Sequence, residues 1–384
     1  MYSTLELAKK LIKFPTVTPN DVGIIAFVRF LLEPLGFRCT EIEFCEDGYK
    51  NVKNLYAVYG NAKPVLCFAG HLDVVPAGEL KAWSHGPFTP TLQDGKLIGR
   101  GAVDMKGAVA AFLSAAMKFV SNNKDIQGSI GILLTLDEED TGVNGTIKML
   151  KHLDESGEIF DYCIVGEPTS AQSFGDMIKN GRRGSITFNL NVNGVQGHVA
   201  YPENAKNPNH ILVKILSELI ELKLDEGSEY FAPSNLEVSS IDVGNFVTNI
   251  IPEKASATFN IRFSDIHTCK SLRVLVDEIC KKYSDDYELN IISESESFIS
   301  RSEFLEGIVK IAIKQVLNIP AVTSTDGGTS DARHISKYCP VIEFGLLNES
   351  AHKINEFCCI DDIEKLSTIY YNIIYRVLSG RIKI

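Results

Sequence analysis

The chain has 384 residues, 45% hydrophobic and 23% charged, the make-up of an ordinary globular protein large enough for two cores. Its net charge of -11 argues against a surface that coats nucleic acid, and no run of 18 apolar residues is present to cross a bilayer. The opening MYSTLELAKK has no basic stretch followed by an apolar one, and the nine cysteines form no CxxC pair, so a cytoplasmic protein with reduced thiols and no signal peptide is expected.

Apolar periodicity predicts a helix over 5–13 and another over 21–35, with Asn20 or Asp21 as N-cap and Gly36 as the stop. Strand-like runs follow at 38–44 and 54–59. The stretch 65–107 organises what comes next. Val65 to Ala69 reads as a buried strand that Gly70 ends, with His71 and Asp73 on the loop beyond, at the sheet edge where α/β folds gather ligands. Alternation puts His71 and Asp73 on one side of an extended backbone, which suits a metal-ligating imidazole held by a carboxylate. A small-residue helix is expected at 107–121. The apolar run Ile130 to Leu136 then delivers Asp137, Glu138 and Glu139, and after a helix near 143–152 the strand 161–165 ends in Gly166-Glu167-Pro168. This recurrence of strand, acidic or imidazole tip and helix predicts an α/β fold with a mixed, mostly parallel sheet.

From about 180 the pattern changes. Strands at 184–194, 236–243, 254–264 and 286–293 and helices at 205–223 and 266–283 predict an inserted α+β module. The expected domains are therefore 1–179 with 293–384, and 180–292. A helix at 302–318, a Gly-rich turn at Asp326–Thr329, a strand at 340–344 and a helix at 360–379 complete the chain, without internal repeats.

His71, Asp104, Glu139, Glu167 and His352 fall at predicted strand ends or in adjoining loops. Two imidazoles and three carboxylates suit a catalytic divalent zinc, cobalt or manganese ion better than a closed structural zinc. If one carboxylate bridged two ions about 3.5–4 Å apart, they could together polarise an amide and acidify a water. Glu138, beside a ligand but facing away, is the natural general base, although spacing alone does not separate it from Asp137 and Asp140. Nor does spacing alone join the five positions into one site.

A family pattern does. GHLDVVP (70–76), GRGAVDMKG (99–107), DEE (137–139), VGEPTS (165–170), GRRGS (181–185), GVQGHVAYP (194–202), NIIPE (249–253), TDGGTSDAR (325–333) and GLLNESAHKINE (345–356) resemble, in order, the M20 metallopeptidase family. GRRGS, GGTSDAR and the Leu-Asn-then-His arrangement are similar to its desuccinylase branch more than its acetylornithine deacetylase branch. The resemblance implies a zinc-peptidase-like catalytic domain with an inserted lid and dimerisation domain. It implies one zinc on His71, Asp104 and Glu167 and a second on Asp104, Glu139 and His352, with Asp73 orienting His71 and Glu138 as base. It further implies a cis Asp104–Met105 peptide, a homodimer, and His198 reaching the partner subunit's site to stabilise an oxyanion.

The activity so implied is zinc-dependent hydrolysis of N-succinyl-LL-2,6-diaminopimelate, a multiply anionic amide, to succinate and LL-2,6-diaminopimelate. Arg182, Arg183 and Arg262 are the candidate carboxylate binders, since guanidinium groups grip carboxylates bidentately. Ser185, Tyr201, Asn249, Gly328, Thr329 and Asn348 are the neutral candidates around the substrate. Departures from the pattern are Leu72 for Thr, Asp140 for Gly, Thr248 for Asn and Ala332 for Gly; none removes a ligand or the base. The alternatives are another M20 amidohydrolase (acetylornithine deacetylase, aminoacylase or dipeptidase) and a non-catalytic relative that would have lost a ligand or the base.

Overall fold

The computed structural model describes residues 2–123 and 126–379, which fall into two compact units. The first takes in residues up to 180, 300–324 and from 330 onward; the second takes in 181–299 and 325–329. Among the described residues no helix is long and apolar enough to cross a membrane.

The first unit is built on an eight-stranded mixed sheet in the order Arg38–Phe44, Val52–Tyr59, Ser129–Thr135, Val65–His71, Tyr162–Val165, Val341–Glu343, Met177–Lys179, Val322–Ser324. Its central strands Ser129–Thr135, Val65–His71, Tyr162–Val165 and Val341–Glu343 run parallel, so their C-terminal tips share one edge. The strand Ser129–Thr135 is buried at every position, the continuous apolar run expected of a strand covered on both faces. Helices Lys106–Asn122 and Ile360–Leu378 pack on each other, flanked by Thr4–Ile12 and Glu303–Leu317. Beneath the tips, Phe68 stacks on Phe112 and both meet the edge of Tyr370, whose hydroxyl donates to the Phe344 carbonyl at 2.6 Å.

The second unit is a four-stranded antiparallel sheet, ordered Asn235–Asp242, Lys254–Phe263, Gly184–Asn193, Tyr287–Ser295. Ile186, Phe188, Leu190 and Val192 alternate inward and form a core with the buried faces of helices Pro208–Glu221 and Cys269–Lys281.

Several boundaries move for local reasons. His71 is the last residue of its strand rather than a loop residue, because its backbone pairs with Thr135. The second helix begins at Ile24, after Gly23 at φ +91, while Asp21 Oδ1 still accepts the Ile25 N–H at 3.0 Å. The helix expected at 266–283 starts at Cys269, where Thr268 and Ser271 form a capping box. Pairings that periodicity does not reveal include a small sheet of Thr91–Gln93, Lys96–Ile98 and Phe357–Cys359. No disulfide joins the nine cysteines.

Candidate metal centre

Five side chains from five separate segments meet at the tips of the parallel strands. His71 ends its strand and is buried. Its Nδ1 lies 2.9 Å from the Asp73 carbonyl oxygen, which can only accept, so Nδ1 is the donor in that contact and the ring is turned with Nε2 toward the acidic cluster. Nε2 faces Asp104 Oδ1 at 3.2 Å and Glu167 Oε1 at 3.8 Å. Asp104 Oδ2 faces His352 Nε2 at 3.2 Å, and that nitrogen is 3.0 Å from Glu139 Oε1. Asp104 thus turns one carboxylate oxygen toward each imidazole, and its peptide to Met105 is cis.

Close packing fixes where these groups sit. A Cβ on Gly70 would stand 2.5 Å from Met105 Cε, and one on Gly166 would stand 2.6 Å from the same atom. At Gly70 the crowding atom is the mobile end of Met105, whereas at Gly166 the Phe68 ring at 2.6 Å adds a stiffer obstacle, so the strand end before Glu167 has the stronger need for glycine.

Asp73 meets His71 Nδ1 through two of its oxygens. Its carbonyl, not its carboxylate, is the nearer partner of His71; Oδ1 is 3.7 Å from Nδ1. The carboxylate also accepts the backbone N–H groups of Glu139 at 3.1 Å and Glu138 at 3.4 Å. Asp137 points inward and accepts the Asn144 N–H at 2.9 Å, whereas Asp140 is exposed.

The electrostatics are those of crowded anions. Burial, then repulsion from Asp104 and Glu138, pushes the Glu167 carboxyl well above its ordinary range. Burial raises Glu138 to about 8, against the opposing pull of His71. Burial also works against an ionised Asp104, but hydrogen bonds from His352 and His71 overcome it and hold that carboxyl low. Contacts with Asp104 and Glu139 lift His352 to about 10. Burial opposes charge on His71 too, and is outweighed by Asp104, Glu167 and Glu138, which raise it.

Such a set wants positive charge and offers only nitrogen and oxygen donors, which fits divalent cations of the zinc, cobalt or manganese type. Donor atoms of His71, Glu138 and Glu167 lie within 4.8 Å of one another, as do those of His71, Asp104 and Glu139.

The remaining candidates lie elsewhere in the fold. In the second unit, Arg182 is buried on the short strand Gly181–Arg182, and its Nη1 donates to the Asp326 carbonyl at 3.3 Å, beside the turn bearing Gly328 and Thr329. Ser185 pairs across the sheet with Arg262 and accepts from Asn260 at 3.0 Å. Burial and the nearby Arg183 lower the Arg262 pKa, so these two guanidinium groups form a local positive pair. Arg183 also donates to Asn235 Oδ1 at 2.9 Å. His198 and Tyr201 are exposed neighbours with ring centroids 5.6 Å apart, and His198 Nδ1 accepts the Ala200 N–H at 3.0 Å. The Asn249 carbonyl accepts the Val199 N–H at 3.1 Å. Asn348 belongs to the first unit, where it is exposed and its N–H donates to Ser170 at 2.9 Å.

Two buried groups beside the centre escaped the sequence reading. Glu356 is fully buried against the loop that carries Asp104. Lys106 is also fully buried; its Nζ donates to the Phe14 carbonyl at 2.8 Å, and burial lowers its pKa to about 7. Both stand inside motifs already noted, GLLNESAHKINE and GRGAVDMKG, but nothing in their spacing distinguishes a buried charge from a solvated one.

Comparison with known proteins places the chain in a family. A family model described as peptidase family M20/M25/M40 matches residues 67–376. A protein of Orientia tsutsugamushi (strain Ikeda) named succinyl-diaminopimelate desuccinylase is 50% identical over 368 residues, covering 96% of this chain and 94% of the relative. One of the same name from Rickettsia bellii (strain RML369-C) is 48% identical over 376 residues, covering 97% and 96%. Among solved structures, an M20 family metallo-carboxypeptidase from Sulfolobus solfataricus superposes with a TM-score of 0.79 at 18% identity, covering 97% of this chain and 99% of the other. A dinuclear metal binding peptidase of the M20 family from Bacillus subtilis gives 0.69 at 12% identity, covering 98% of each. At those identities the structures speak for the fold.

Proposed function

Because this chain belongs to peptidase family M20/M25/M40, we infer that it is a metal-dependent amidohydrolase that cleaves N-succinyl-LL-2,6-diaminopimelate into succinate and LL-2,6-diaminopimelate, a step in lysine and diaminopimelate biosynthesis. The observation that carries the substrate is identity of 48–50% to relatives named for that activity over nearly the whole chain. The crowding of Asp104, Glu138, Glu139 and Glu167 around two imidazoles supports the metal dependence.

We propose two zinc ions, replaceable by cobalt or manganese, one held by His71, Asp104 and Glu167 and the other by Asp104, Glu139 and His352. When bound, such ions supply polarisation of the scissile carbonyl and a water acidified to near neutrality. The chain's own groups do the rest. Glu138, raised toward neutrality by burial, takes the proton of the attacking water at its carboxylate and passes it to the departing amine. Asp73 keeps the turn that presents Glu138 in place through the backbone of 138–139. Arg182, Arg183 and Arg262 are proposed to bind the substrate carboxylates, with Ser185, Tyr201, Asn249, Gly328, Thr329 and Asn348 as further contacts.

The second unit is proposed as lid and dimerisation domain, with His198 serving the oxyanion in the other protomer. Supporting this, Asn235–Asp242 is an edge strand of its sheet, and Phe246 beyond it is 96% exposed. The deciding experiment is a substrate panel with zinc-loaded protein. Brisk release of succinate from the succinylated diaminopimelate is expected; turnover of acetylornithine in its place would move the chain to another branch of the family.

A further inference from the structure

The centre described above leaves one buried carboxylate without a part in it. Glu356 is fully buried, and its two oxygens accept four donors. Oε2 takes Arg100 Nη1 at 2.8 Å and the Gly101 N–H at 2.9 Å. Oε1 takes the Val103 N–H at 2.9 Å and the Asp104 N–H at 3.1 Å. Its carbonyl accepts the Gly99 N–H at 2.8 Å, continuing the ladder in which Phe357 pairs with Ile98. One side chain therefore fixes the whole backbone run from Gly101 to Asp104, and it does so from a position four residues after His352.

Arg100 extends the arrangement. While bound to Glu356, its guanidinium also donates to the Lys353 carbonyl at 3.2 Å and the Pro76 carbonyl at 3.3 Å. Its face lies 5.3 Å from the Trp83 ring, whose Nε1 donates to the Ala77 carbonyl at 2.8 Å. The loops carrying Asp73, Asp104 and His352 thus meet on a single ion pair buried at both ends.

The candidate ligands are not equally supported. His71 and Glu167 stand on or directly after central strands of the sheet. His352 is half exposed, has φ +62, and rides on the loop between Ser350 and Phe357, which the Ser350 hydroxyl closes. The sheet anchors two of the three candidate ligands on the His71 side, whereas on the His352 side both Asp104 and His352 depend on how two loops are tied together.

We propose that Glu356, acting with Arg100, is a positioning residue that sets the distance between Asp104 and His352 and thereby the affinity of the ion on the His352 side. The inference rests on the metal reading above. It adds a residue that touches neither ion nor substrate. Groups that hold metal ligands in place from behind typically change affinity or activity by about 10–100-fold when altered.

The test is divalent-ion binding to chelator-stripped protein, followed by calorimetric titration with zinc and by equilibrium dialysis, with no substrate present. In Glu356→Gln an NH2 group meets backbone N–H donors, so one end of the clamp turns repulsive. In Arg100→Lys the three backbone hydrogen bonds to Glu356 stay, while the fork reaching Lys353 and Pro76 is lost. The expected result is two ions per chain in the parent, and in both variants a weaker second ion by about 10–100-fold with the first changed far less. The melting temperature of the stripped proteins supplies the control. If Glu356→Gln fails to fold, Arg100→Lys carries the test. Folded variants that melt lower yet bind both ions as the parent does would reduce Glu356 to a stabilising role and overturn the proposal. A parent that binds no divalent ion would overturn the metal reading first, a result distinct from parent-like variants.

Discussion

Asp73 joins two strand tips: its Oδ2 accepts the Glu139 N–H at 3.1 Å while its own carbonyl receives His71 Nδ1 at 2.9 Å. One buried residue thus fixes an imidazole through its main chain and an acidic turn through its side chain. In Asp73→Ala the backbone link to His71 survives and the turn carrying Glu138 is released. The expected outcome is a fall in kcat of about 10–100-fold with a smaller change in KM, read by steady-state kinetics on the succinylated substrate. A parent-like kcat would show that the turn holds itself.

Glu138→Gln keeps the shape of the proposed base and removes its basicity. Turnover should drop by about 100- to 10,000-fold, the usual worth of a positioned acid–base group. Metal content, measured on the same sample, should match the parent. Loss of bound metal would instead make Glu138 a ligand, an outcome its closeness to His71 and Glu167 makes worth measuring.

Gly166→Ala adds a methyl group where there is no room: its Cβ would lie 2.6 Å from Met105 Cε and 2.6 Å from Phe68 Cζ. Overpacking of that kind costs about 1–3 kcal/mol, readable as a lower urea midpoint. Because Met105 adjoins Asp104, weaker metal binding should accompany it. An unchanged midpoint would mean that Met105 and the Phe68 ring both give way freely.

Acid sensitivity should appear in the second unit at Asp225, whose side chain is 5% exposed. Burial pushes this carboxyl up, but donors from Ser234, Gly227 and Ser264 outweigh it and hold the pKa below the ordinary value. A depressed folded-state pKa gives stability that is present above the unfolded value, about 3.9, and is lost as pH falls through the folded one. Asp225→Asn should therefore be clearly less stable than the parent at pH 7, with the gap closing as the solution is acidified below the carboxylate range. Urea midpoints at several pH values check this, and a gap independent of pH would reject it.

Much of this could be read from the chain because strand tips announce themselves. An apolar run ending in His71, in Glu138-Glu139 or in Gly166-Glu167 needs no tertiary knowledge to suggest a shared edge. The division of labour within Asp73 was hidden, since alternation places a side chain on a face but does not say which oxygen a neighbour will meet. Glu356 was hidden for another reason: its partners at Arg100 to Asp104 lie far back in the chain, and only the pairing of Phe357 with Ile98 brings them beside it. Short strands such as Lys96–Ile98 are too brief for periodicity to register.

The parallel sheet has a consequence for biosynthesis. Translation runs from the N-terminus, so His71, Asp104, Glu139 and Glu167 emerge long before the strand Val341–Glu343 and the loop bearing His352. A ribosome-bound chain therefore exposes a tract of acidic donors with no second imidazole to organise it. The order of synthesis thus separates the acidic cluster from the imidazole that faces Asp104 and Glu139, and the two halves of the centre meet only after residue 352 has been made.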